Sequence, residues 1–137
     1  MKYDELKAML AKQKVPQRHR HLEGDIQEAC VTWFRYAYPT YLIFAIPNGG
    51  TRNAREAAQI KREGALAGVA DLIIVADNAV LFIEMKTKKN KQQESQKRFQ
   101  EAVERLGHRY VVCHSLQEFQ LAVERWLKER YGYESQE

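Results

Sequence analysis

The chain has 137 residues and a mass of 16.0 kDa, with 45% hydrophobic and 29% charged residues, the size and balance of one globular domain that buries roughly two-thirds of its unfolded surface. Its longest apolar stretches, 41–47 and 72–76, fall far below the ~18 residues of a membrane span, the charged N-terminus has no apolar signal core, and two cysteines, Cys30 and Cys113, are too few for a disulfide framework or a cysteine-built zinc site and read as buried reduced thiols. The net charge is +4 and unevenly spread: residues 1–22 and 84–98 each hold six Lys/Arg against two acids, whereas 101–137 hold five against seven, a distribution that fits one face turned to a polyanion as well as an ordinary solvated surface.

In chain order, the pattern predicts a first helix over Tyr3–Lys12, stopped before Pro16. Ile26, Ala29, Cys30, Trp33, Phe34 and Ala37 then form one apolar helical stripe that ends near Pro39. Tyr41–Ile46 reads as a strand, 47–50 as a loop and Asn53–Arg62 as a short helix. Asp71–Ala76 and Ala79–Met85 read as a hairpin around Asp77-Asn78. A helix follows over about Lys91–Leu106 with Gly107 as its stop, then a strand over Arg109–Cys113. Ser115 and Glu118 fit a capping box that opens a last helix through Trp126. The expected fold is α/β: one domain with a mixed central sheet flanked by helices. Trp33, Phe34, Tyr36, Tyr38, Tyr41 and Trp126 are assigned to the core or to a subunit interface.

The chemistry concentrates at one end of the hairpin. Pairing Ala76 with Ala79 and continuing outward sets Asp71 directly opposite Glu84, with Cβ atoms ~5 Å apart on one sheet face. Lys86, two residues beyond, shares that face. Facing carboxylates repel unless a cation lies between them, and oxygen donors suit a hard ion such as Mg²⁺ or Mn²⁺. A lysine beside them can stabilise charge in a transition state. The same three groups would also make a plain ion-pair cluster on Lys86.

These residues resemble the PD-(D/E)xK nuclease superfamily, and more narrowly the virus-type replication-repair nuclease (VRR-NUC) domain, from about Glu23 to Cys113. The matching stretches are Glu23-Gly24-Asp25-Ile26-Gln27, Pro47-Asn48-Gly49-Gly50, Gly64 with Gly68-Val69-Ala70-Asp71-Leu72, Ile83-Glu84-Met85-Lys86, and Gln96 with Gly107. The resemblance implies a restriction-endonuclease-like core over about 22–130, preceded by a basic helix within 1–15. It implies Asp71, Glu84 and Lys86 as the catalytic core, Glu23 as the helix-borne acid and Gln96 approaching from the next helix. Asp71, Glu84, Glu23 and the carbonyl of Met85 would be the ligands of Mg²⁺ or Mn²⁺. Ala70 stands where the superfamily has proline, a rigid turn residue without chemistry. Glu28 competes with Glu23 for the helical role but falls on another face.

The resemblance further implies a metal-dependent endonuclease that cuts structured DNA, in the manner of a Holliday-junction resolvase, as a homodimer in the cytoplasm of a bacterial or phage-infected cell. The rival readings are a nickase or flap nuclease of the same superfamily and a non-catalytic basic DNA-binding module. Asn48, Arg52, Lys88, Lys89 and Lys91 are the expected nucleic-acid contacts. His19-Arg20-His21 is basic but lacks adjacent carboxylate ligands, and His108 and His114 flank a strand with no evident catalytic partner.

Overall fold

The structure is a computed structural model that describes residues 2–12, 22–47, 53–87 and 89–132. Asn48, Arg52, Lys88 and the triplet His19-Arg20-His21 therefore lie outside the described residues.

The central hairpin sets the architecture. Asn78 takes φ 57, the left-handed conformation that asparagine tolerates, and closes a two-residue turn with Asp77. That turn fixes the register of β2 (Leu72–Ala76) and β3 (Ala79–Met85), with Ala76 opposite Ala79 and Leu72 opposite Ile83. β1 (Leu42–Ala45) pairs antiparallel with β2. β4 (Arg109–Cys113) pairs parallel with β3, setting Phe82 beside Tyr110 and Glu84 beside Val112. The sheet runs β1-β2-β3-β4 and is mixed, as expected. Its one parallel pair is joined by a crossover through α4 (Glu94–Arg105).

Period-two alternation sorts the strand side chains between two layers. Ile43, Leu72, Ile74, Leu81, Ile83 and Met85 are buried with Cys30, Trp33 and Phe34 from α2 (Leu22–Ala37) and Phe119, Val123, Trp126 and Leu127 from α5 (Leu116–Tyr131). Leu6 of α1 (Tyr3–Lys12) completes this cluster. Trp33 stands edge-on to Tyr38 at 5.8 Å and to Phe119 at 5.9 Å. Each fully buried large side chain contributes about 1.5–3 kcal/mol. A second, smaller cluster joins Ala70, Val103 and Tyr110 to Phe82, Phe99 and Val112, with α4 as its lid.

The differences from expectation have local causes. β1 is shorter than 41–46 and buries only Ile43, because it is an edge strand with helices on one side. Tyr36 is exposed, not core, because it falls outside the helical stripe that carries Trp33 and Phe34. α4 starts at Glu94, later than Lys91, because the Gln96 side chain accepts from the backbone N–H of Gln93 and makes Gln93 the cap. α3 (Ala54–Arg62) begins after Asn53, whose side chain accepts from Glu56 N–H at 2.8 Å. Ser115 caps α5 by accepting from Glu118 N–H, while the Glu118 carboxylate reaches back to His114 N–H. Both cysteines are buried and free, and burial pushes both thiols up, Cys113 to about 12. Among the described residues no helix is long and apolar enough to cross a membrane.

Gly68 marks a close approach that positions the site. It sits at φ +87, and a Cβ there would lie 2.2 Å from the carbonyl oxygen of Ser95 at the start of α4. Gly64, at φ +111, has nothing within 4 Å. Gly64→Ala is expected to cost about 1–3 kcal/mol through backbone conformation alone. Gly68→Ala adds a backbone clash and should cost at least about 2 kcal/mol more. Urea unfolding measures both, and equal losses would contradict the close packing of this loop on α4.

Candidate active site

At its open end the otherwise apolar hairpin carries two carboxyl groups. Asp71 stands one residue before β2, where its carbonyl accepts from Ile46 N–H at 2.9 Å and its Oδ2 accepts from Met85 N–H at 2.9 Å. Glu84 is the penultimate residue of β3 and is only 2% exposed. The two carboxyls lie within hydrogen-bonding reach of each other, the juxtaposition that the two-residue turn implies. Tyr110, on β4, donates its hydroxyl to Glu84 Oε2 at 3.3 Å.

This corner has an unusual charge balance. Burial pushes Glu84 up to about 8, and the hydrogen bond and negative charge of Asp71 push the same way. The charge of Lys86 and the Tyr110 hydroxyl pull it down, but by less. A satisfied ion pair on Lys86 would hold Glu84 below its ordinary range; here burial and Asp71 outweigh Lys86 and the direction is the reverse. Near neutral pH Glu84 therefore favours its protonated form, and an added positive charge beside it would favour the carboxylate.

Lys86 is half-buried, and its backbone N–H donates to the Cys113 carbonyl, extending the β3–β4 ladder by one step. Glu23, in the first turn of α2, reaches the next residue: its Oε1 accepts from Thr87 N–H at 3.0 Å and from Asn90 Nδ2 at 3.1 Å. Glu28, the alternative acid, is exposed. Glu23 is thus brought beside the Lys86–Asn90 segment, with its carboxylate engaged by an amide. Among the described residues no three His, Cys, Asp or Glu side chains converge to hold a metal.

Gln96 lies in the first turn of α4 and lines, with Asp71, Gly68, Ser95, Ile46 and Leu66, a cleft of about 700 Å³. Its Oε1 is taken by Gln93 N–H. Lys89 and Lys91 are exposed on the segment that leads from Lys86 to α4. A second cavity of about 700 Å³ lies at the turn end of the hairpin, around Asn78, Arg109 and Trp126, and contains none of these groups.

Sequence reasoning missed Tyr110, Gln92, Gln100 and Asn90. Gln92 Nε2 donates to Tyr110 Oη at 3.3 Å and to Gln100 Oε1 at 2.9 Å. Tyr110 has a weak sequence signal, a hydroxyl-bearing ring inside the apolar strand Arg109–Cys113; the amides have none.

The donor set fits a hard divalent cation. Asp71 and Glu84 offer carboxyl oxygens, and the Met85 main-chain carbonyl lies between Glu84 and Lys86 in sequence, so all candidate donors are oxygens.

With Glu84 raised in the folded state, the native protein binds more protons than the unfolded chain between about pH 4.5 and about pH 8. Stability of the metal-free protein should accordingly fall as pH rises through that window, by at most about 1.4 kcal/mol per pH unit. Chemical denaturation across the window measures the slope. Glu84→Gln should flatten it, and an unchanged slope in that variant would contradict the assignment.

The VRR-NUC domain family model matches residues 21–117, a span that contains Glu23, Asp71, Glu84, Lys86 and Gln96. A solved structure described as a VRR_NUC domain protein superposes with a TM-score of 0.63 at 24% identity, covering 80% of this chain and 91% of that one. Another, described as a VRR_NUC domain, gives 0.54 at 20% identity, covering 76% and 96%. At those identities the likeness is one of fold. No curated protein matches the sequence. The family match covers most of the chain and includes the paired carboxyls and their lysine, and the protein belongs to the VRR-NUC domain family of nucleases.

Proposed function

We propose that this protein is a Mg²⁺- or Mn²⁺-dependent endodeoxyribonuclease that hydrolyses phosphodiester bonds in structured DNA, a four-way junction or flap, as a homodimer. The observation that carries the reading is the Asp71–Glu84 pair, two carboxyl groups brought together at the end of the hairpin, with Glu84 buried and Lys86 two residues beyond it. Asp71, Glu84 and the Met85 carbonyl would hold the cation, with Glu23 acting directly or through water. When bound, the cation would polarise the scissile phosphate and lower the pKa of a water. Lys86 supplies a fixed positive charge for the phosphate as negative charge builds on it. Gln96 borders the cleft that opens beside Asp71. Lys89 and Lys91, together with Asn48, Arg52 and Lys88, serve the DNA backbone.

Branched DNA is favoured over a sequence-specific site because, among the described residues, no helix-turn-helix or zinc module supplies base readout. Two symmetric strands require two cuts, and the described residues of one chain carry the Asp71–Glu84 pair for one of them. A two-fold dimer is the simplest way to supply the second.

The test is cleavage of labelled four-way junction, flap and linear duplex with Mg²⁺, Mn²⁺ or EDTA. Branched DNA should be cut only with metal. Asp71→Asn and Lys86→Ala should cut at least about a hundredfold more slowly while binding DNA within a few fold of wild type. Absence of cutting in both metals would overturn the enzyme; preference for linear duplex would overturn the substrate. In the same assay Glu23→Gln should lower the rate roughly tenfold to a hundredfold, whereas Glu28→Gln should leave it unchanged. Equal effects of the two would remove Glu23 from the site.

A further inference from the structure

Behind Glu84 stands a chain of hydrogen bonds that the proposed reaction does not yet use. Glu84 Oε2 accepts from the Tyr110 hydroxyl at 3.3 Å, Tyr110 Oη accepts from Gln92 Nε2 at 3.3 Å, and Gln92 Nε2 also donates to Gln100 Oε1 at 2.9 Å. The direction of each bond follows from the groups themselves. An amide nitrogen only donates, so both Gln92 hydrogens are spent, one on Gln100 and one on Tyr110. The tyrosine oxygen, occupied as an acceptor, turns its own proton to Glu84. Oε2 is therefore fixed as an acceptor. Tyr110 is 6% exposed, and its ring is held by Phe99 at 6.1 Å and packs with Val103. Gln100 sits on α4, so the relay ties the orientation of the Glu84 carboxylate to the helix that also carries Gln96.

We infer that Tyr110, oriented by Gln92 and Gln100, is a positioning residue that holds the Glu84 carboxylate ready for a divalent cation. The inference rests on the proposed metal-dependent function. Carboxylates that bind metals are themselves held by hydrogen bonds, and losing such a partner costs tenfold to a hundredfold in affinity. The relay also makes Tyr110 different from a core tyrosine: its ring packs in one cluster while its hydroxyl serves another group.

The experiment is Mn²⁺ binding to the DNA-free protein by isothermal titration calorimetry, with Tm read in parallel. Tyr110→Phe keeps the ring and removes the hydroxyl; it should weaken Mn²⁺ about tenfold to a hundredfold. Gln92→Leu keeps the hydroxyl but frees its proton to turn away, and should weaken Mn²⁺ by a smaller factor. Val103→Ala removes packing beside Tyr110 without touching the relay; it should lower Tm and leave Mn²⁺ affinity as in wild type. Wild-type affinity in both relay variants would overturn the inference while leaving the metal site standing. Equal weakening in Val103→Ala would overturn it too, by reducing Tyr110 to a packing residue. Absence of Mn²⁺ binding to the wild-type protein, with Asp71→Asn indistinguishable from it, would overturn the proposed function itself.

Discussion

Two carboxyl groups opposed across the hairpin, with Glu84 buried beside Val112 and Tyr110, repel each other when both are ionised unless a positive charge lies between them. The rest of the molecule is organised around holding them there. The hairpin register brings Asp71 to Glu84. The Met85 amide fastens the Asp71 carboxylate, and the Tyr110 hydroxyl fastens the Glu84 carboxylate. Neither acid is free to swing into solvent and relieve the repulsion. In the metal-free protein burial first, and then the hydrogen bond and negative charge of Asp71, raise Glu84 despite Lys86 nearby.

The position of this corner follows from chain topology. β3 and β4 are parallel, and both end where the carboxyls lie, the end of a parallel pair at which α/β folds gather their binding loops. Three further elements converge there. The first turn of α2 delivers Glu23 to the amide of Thr87, the loop at Gly68 presses onto Ser95, and the start of α4 brings Gln93 and Gln96 to the cleft beside Asp71. Each contact uses a helix end or a turn, where backbone groups are unpaired and available. The apolar layers, by contrast, carry almost no polar chemistry, and their contribution is rigidity at the strand ends.

Much of this arrangement could be read from residue order. The two-residue turn at Asp77-Asn78 determines cross-strand partners by counting, so Asp71 opposite Glu84 needs no coordinates. The stripe from Ile26 to Ala37 announces a buried helix face in the same way. Contacts between elements distant in sequence were not legible. Nothing in Arg109–Cys113 states that this strand joins β3 in parallel, and without that pairing Tyr110 is one more core aromatic. Glu23 was recognisable as an acid near the site, but its bond to Thr87 depends on how α2 sits against the 86–90 segment, which periodicity does not encode. Gln96 was placed correctly on the helix; its use as the capping partner of Gln93 depends on where α4 begins, the feature that patterns locate least well.

The central claim is that the Asp71–Glu84 pair is a cation site and not an ion-pair cluster. The most direct measurement is an anomalous difference map from crystals of the protein grown with Mn²⁺ at pH 8. The account predicts a single strong peak at the two carboxyl groups, absent from crystals of Glu84→Gln. A map with no peak there, and the Lys86 ammonium seated between Asp71 and Glu84, would contradict it.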